Sequence, residues 1–159
     1  MQAGAQPKGL QKEKAGVTEL KEWTFIPAEL DEFLADKGHN AMLGIRYHAH
    51  GPDWIELAMP WHERLVASRA TGAFASGPMM ALMDNAAGTA IYLKRGGYLP
   101  QVTLDLRIDY LRPPSAGASL ICRTEVVSLA PAIAFTRGLA YETTPDDPVC
   151  HVSASFMLL

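Results

Sequence analysis

The hydrophobic pattern changes period along the chain, and each change predicts an element. From Pro27 to about Lys37, Leu30, Phe33 and Leu34 make one stripe, which predicts a short helix stopped by Gly38. Ile45–Ala49 and Trp54–Met59 are extended runs around His50-Gly51-Pro52-Asp53, a hairpin signal. Residues 61–71 have no clean period and read as a loop of the kind that carries function. From Met79 to Leu93 nearly every residue is apolar or small, predicting a long helix over about 77–94 with no face made for water. Ser76 is the expected N-cap and Pro78 suits the first turn. Lys94 and Arg95 lie at the negative end of the helix dipole, and Gly96 is the stop.

Past that helix the period becomes two. Val102, Leu104, Leu106, Ile108 and Tyr110 alternate with Thr103, Asp105, Arg107 and Asp109, so the two sets are expected on opposite faces of one strand. Further strands are predicted at 120–129, 133–142 and 149–157, with turns at 113–117 and 144–148. A helix, two strands, one long helix and four strands in an antiparallel meander predict an α+β hotdog fold. In it a six-stranded curved antiparallel sheet wraps the central helix, with the short N-terminal helix beside it. Residues 1–20 are expected as a flexible tail and 21–159 as one domain, with Trp23, Phe25 and Ile26 the first core contacts.

Composition narrows the chemistry. A net charge of −3 gives no electrostatic reason to expect nucleic acid. The 79–93 run is too short, and too interrupted by Asp84 and Asn85, to span a membrane, and the first 22 residues lack an apolar leader segment. Cys122 and Cys150 have no CxxC spacing and are expected as reduced, half-buried strand residues of a cytoplasmic protein. His48 and His50 share a strand face but lack a third ligand at suitable spacing, so no metal is expected.

Asp84 is the anomaly, an acid in the middle of an apolar helix. The residues alone leave two readings open: a general base or nucleophile, or a structural carboxylate bonded to a strand hydroxyl. The N–H groups at Ser76 and Gly77 suit a developing oxyanion, although every helix has such an end. Asp84 lies eight residues past Ser76, about 12 Å along the axis, too far for both to act on one group within a single helix. Two antiparallel copies of the helix would close that gap, so a site shared between subunits, and a dimer, is expected.

The segments GAFASGPMMALMDNAAG and VTLDLRIDYLRPPSAG resemble the hotdog acyl-CoA thioesterases, most closely the phenylacetate-degradation type, over about residues 42–158. The resemblance implies Asp84 as the catalytic acid and Thr103 as the strand hydroxyl beside it, with Asp105, Tyr110, Arg112 and Pro113 in register. It also implies a small acyl-CoA substrate whose CoA is part of the substrate, no separate cofactor, and homodimers that in some members pair further. The His and Asn that the family carries before and at the helix start are Ala75 and Arg69 here, and its first Gly is Ser76. Arg69 and His62 are therefore read as replacements near the site, with Pro78 beside them. Arg107, Arg112 and Arg123 are read as candidates for the CoA phosphates. The leading expectation is thioester hydrolysis. The alternatives are a protein that binds the thioester without cleaving it and, more remotely, a hotdog dehydratase, which would need a His that this helix start lacks.

Overall fold

The alternating strand of residues 101–110 is where pattern and structure first part company. In the computed structural model, which describes residues 27–36 and 38–159, a β-bulge falls between Thr103 and Asp105. The bulge resets the alternation. Thr103 pairs with Phe156 and Leu106 with Ala154, both buried residues, so Thr103 shares the inner face with Leu106 and Ile108 instead of opposing them.

Two short helices come first, α1 (Pro27–Asp36) and α2 (Gly38–Leu43). Gly38, with φ 82°, ends the first as expected, but the chain then turns once more as α2. β1 (Arg46–His50) and β2 (Trp54–Met59) form the expected hairpin. A 3-10 turn at Glu63–Leu65 interrupts the connection, and the central helix α3 runs from Ser76 to Arg95. β3 (Gln101–Tyr110), β4 (Leu120–Leu129), β5 (Ile133–Tyr141) and β6 (Pro148–Leu158) complete one antiparallel sheet of order β1-β2-β4-β5-β6-β3. This corrects the expected four-strand meander. β4, β5 and β6 are a meander, but β3 pairs with β6 at the far edge and β4 joins β2. The segment between β3 and β4 therefore crosses the sheet, and the two ends of the strand order are filled by β1 and β3. Trp23, Phe25, Ile26 and the tail lie outside the described residues.

α3 sits on the inner face. Met79, Leu82, Met83, Ala86, Ala87, Ala90 and Ile91 are buried at helical spacing against Leu57, Met59, Leu120, Ala134, Val152 and Phe156. Fully burying each large apolar side chain stabilises the fold by about 1.5–3 kcal/mol. The Thr124 hydroxyl donates to the Ala86 carbonyl at 2.7 Å and ties β4 to the helix. At Gly88 a Cβ would meet the Gln101 amide at 2.8 Å, and that amide donates to the Gly88 carbonyl at 2.9 Å. A side chain at 88 would displace the Gln101 amide from this bond. Gly96 closes the helix in the left-handed region, φ 74°, its N–H reaching Leu93 O. The helix is not apolar all round as expected, because Ser76, Gly77 and Met80 are exposed. The cysteines are deeper than expected. Both are fully buried, and burial pushes the Cys150 thiol up to about 11.

Candidate active site

Asp84 is half-buried on the side of α3 that meets the edge strand β3. Its Oδ1 accepts a hydrogen bond from the Thr103 hydroxyl at 2.9 Å. The β-bulge is what makes this bond possible, since strict alternation would point Thr103 away from the helix. Two residues earlier Gln101 ties β3 to α3 by donating its side-chain amide to the Gly88 carbonyl, one turn away from Asp84. Among the described residues no hydrogen bond or ion pair reaches the other carboxylate oxygen. The neighbour Asn85 is turned elsewhere. Its amide donates to the Ala81 carbonyl, and its oxygen accepts from Asn40 of α2 at 2.8 Å.

The start of α3 is also unoccupied chemically. Ser76 was the expected cap, but the N-cap is Ala75, with φ −68° and ψ 151°, and no side chain caps the first turn. Ser76 is the first helical residue, so its hydroxyl cannot take the capping geometry. The N–H groups of Ser76 and Gly77 are thus left exposed, next to Pro78, which has none to offer. The approach to this end is fixed: Ala75 N–H donates to Leu65 O, Val66 bridges Phe74, and Trp61 Nε1 donates to the Gly72 carbonyl at 2.8 Å. Gly72 has φ 62°, and a Cβ there would lie 2.9 Å from Ala116.

The remaining predicted residues are not gathered around Asp84. His62 caps the 3-10 turn, its Nδ1 accepting from Arg64 N at 3.1 Å. Arg69 is exposed in the loop before the helix. Arg107 is exposed and pairs with Asp109 at 3.0 Å. Arg112 is held by Glu142 and Asp147, at 3.1 and 3.0 Å, and these partners raise its pKa. Arg123 donates to Glu56 at 2.7 Å. A groove of about 540 Å³ on the outer face, lined by Trp54, Asp109, Arg123, Glu125, Arg137 and His151, lies away from Asp84, and its arginines are engaged by carboxylates. Among the described residues no group of three His, Cys, Asp or Glu is placed to hold a metal ion, and no helix is long and apolar enough to cross a membrane.

Residues 73–147, which contain the start of α3, Asp84 and Thr103, match the family model described as the thioesterase superfamily. Over this stretch the chain is similar to the thioesterase superfamily. Solved structures agree on its hotdog fold. A Pseudomonas aeruginosa protein is 28% identical with a TM-score of 0.75, over 84% of this chain and 98% of its own. A thioesterase from Haemophilus influenzae is 23% identical, TM-score 0.74, over 86% and 94%. Zebrafish thioesterase superfamily member 2 is 19% identical, TM-score 0.70, over 82% and 94%. No curated protein matches the chain.

Sequence reasoning passed over Glu56, Gln101 and Met80. Glu56 had the same signal as Asp84, an acid in an apolar run. Gln101 and Met80 had none, because one acts through a glycine thirteen residues before it and the other through being left uncovered.

Proposed function

We propose that this protein hydrolyses the thioester of a small acyl-CoA, aryl or short to medium aliphatic, to the free acid and CoA, in the cytoplasm and at a site shared by two chains. The observation that carries this reading is the Asp84 carboxylate, with one oxygen on Thr103 and the other without a partner among the described residues. In the reaction the thioester carbonyl sits at the Ser76 and Gly77 N–H groups of one subunit, which stabilise its developing negative charge. Asp84 of the other subunit either takes a proton from water as it attacks or attacks the carbonyl carbon itself, and Thr103 fixes the orientation of the carboxylate. The tetrahedral intermediate collapses by breaking the C–S bond: where water attacks, the thiolate of CoA leaves with the proton that Asp84 took from it, and where Asp84 attacks, the thiolate leaves a mixed anhydride that water then hydrolyses to the free acid, supplying the proton for the thiol. The edge position of β3, with Val102, Leu104, Tyr110 and Leu111 exposed along it, supports a partner chain on this side.

The test is thiol release from a panel of aryl- and aliphatic-CoAs by wild type beside Asp84→Ala. Turnover of the best substrate by wild type, lost in Asp84→Ala with fold and assembly intact, is expected. Equal turnover by both proteins would remove Asp84 from the chemistry. A second reading, thioester binding without cleavage, is favoured by one observation: the helix start presents Ala75 and no side-chain cap, so only backbone groups face the carbonyl. Tight binding of CoA esters with no free thiol is the outcome that selects it.

A further inference from the structure

Two registers of β3 compete, and the chain adopts the one that its hydrophobic pattern favours less. Strict alternation turns Val102, Leu104, Leu106 and Ile108 to one face. The bulge between Thr103 and Asp105 breaks that set. Leu106 and Ile108 still pack on the core, but Val102 and Leu104 stand 46% and 54% exposed. Without the bulge, residues 101–104 would move one place along β6. Leu104 would then pair with Phe156, where Thr103 is now, and Val102 with Leu158, where Gln101 is now. Both places would gain an apolar side chain, and Thr103 would point away from Asp84. Within the chain β3 is an edge strand with β6 as its one neighbour, and Gly96 and Gly97 before it leave slack for a one-residue slip. Something must hold the bulged register.

Gln101 is placed to do so. Its side-chain amide donates to the Gly88 carbonyl at 2.9 Å, just ahead of the bulge. A carbonyl can only accept, so the amide nitrogen must point at it. The amide oxygen is then left buried with no partner among the described residues, a cost that native folds rarely carry without a reason. A Cβ at Gly88 would stand 2.8 Å from the amide nitrogen, so the helix surface is hollow where this side chain lies. In the slipped register Val102 would take that place and the bond would be lost. We propose that Gln101 is a positioning residue: its bond to Gly88 holds β3 in the bulged register, and that register keeps the Thr103 hydroxyl on Asp84. The proposal rests on the hydrolysis reading for its effect on rate, but not for its effect on register.

Register can be read without turnover. Val102 pairs with Met157 on the outer face, and both are exposed. Val102→Cys/Met157→Cys in the full chain is therefore expected to close an intrachain disulfide under mild oxidation; the two native cysteines are fully buried. Adding Gln101→Ala is expected to slow that closure at least about tenfold, because the slip sets residue 103 opposite 157. Gly88→Ala delivers the same lesion from the helix side with a better helix former, and a retained circular-dichroism melt shows that either variant is folded. Without the added cysteines, Gln101→Ala is expected to lower kcat about tenfold with KM little changed, as loss of the Thr103 bond would. Two double variants separate this from a general loosening. Gln101→Ala/Thr103→Val is expected to be no slower than Thr103→Val alone. Gln101→Ala/Leu104→Thr is expected to recover most of the rate, because the slip brings residue 104 to Asp84. Five results each overturn the proposal: an open cysteine pair in the parent, unchanged closure with Gln101→Ala, full kcat in Gln101→Ala, additive losses with Thr103→Val, or no recovery with Leu104→Thr. If wild type releases no thiol, the hydrolysis reading fails and the disulfide alone decides whether Gln101 holds the register.

Discussion

Glu56 and Asp84 are both acids set among apolar residues, one on the sheet and one on the helix, and their surroundings differ in kind. Glu56 is 3% exposed on β2, between Ile55 and Leu57, which face the core, so its own side chain lies on the outer face of the sheet. Its Oε1 accepts from Arg123 Nε and from the Tyr141 hydroxyl, each at 2.7 Å, and His48 Nε2 stands 4.0 Å from Oε2. The Arg123 guanidinium in turn lies 4.0 Å from the Trp54 ring centroid. Asp84 is less buried, has one hydroxyl partner and no cation. Depth of burial therefore does not separate a structural acid from a chemical one. What separates them is the kind of partner: Glu56 is held by a guanidinium and a tyrosine hydroxyl, and Asp84, among the described residues, by a single strand hydroxyl at a half-exposed position.

Exchanging the two acids for their amides tests that distinction at its widest. Asp84→Asn removes the base and is expected to lower thioester turnover by about 10³, with a melting temperature within a few degrees of wild type. Glu56→Gln leaves Arg123 beside a neutral amide and is expected to cost about 3 kcal/mol of stability by urea unfolding, while turnover per folded molecule holds. The reverse pattern, with Glu56→Gln inactive and Asp84→Asn unaffected, would assign the chemistry to the outer face. A smaller effect sharpens the Asp84 side. Thr103→Val keeps the shape and loses one hydrogen bond to a carboxylate, so kcat is expected to fall about tenfold, with KM little changed. Thr103→Ser restores the hydroxyl and is expected to recover most of the rate, which a purely steric role for Thr103 would not predict.

How much of this the chain announces depends on whether a feature is local. The α3 pattern, the hairpin at 50–53 and the strand periods are properties of neighbours in sequence, and each element appears within a few residues of its predicted bounds. Asp84 and Thr103 stood out as an acid in an apolar helix and through the family pattern, and they meet. The bulge that joins them did not stand out, because it is set by which strand pairs with β3. Nothing in residues 101–110 says that the partner is β6. The same blindness placed β3 beside β4. At the helix start the residue types suggested a serine cap, and the backbone begins the helix one residue too early for it. The arginines read as phosphate ligands show partners that the sequence did not suggest. Arg112 and Arg123 find acids that lie near them only in the folded chain, Asp147 and Glu56, while Arg107 pairs with Asp109 two residues on.

The smallest predicted effect probes the Glu56 side through pH. The Tyr141 hydroxyl is buried and donates to Glu56; burial first and that neighbouring carboxylate second push its pKa up to about 12. In the unfolded chain a tyrosine titrates near 10. Below about pH 10 both states hold the proton and the tyrosine gives stability no pH dependence. Between about 10 and 12 the unfolded chain releases the proton while the folded one keeps it, so stability falls as pH rises through this window. At pH 11 the loss is about 1 kcal/mol for one such group. Tyr92, raised in the same direction by burial and by Tyr98, adds to the slope. Tyr141→Phe is therefore expected to flatten, without abolishing, the fall in unfolding free energy between pH 10 and 11.5 relative to its own value at pH 8. An unchanged slope would mean that Tyr141 is not held as a proton donor by Glu56. Glu56 would then be held by Arg123 alone, and the contrast with Asp84 would weaken at its strongest point.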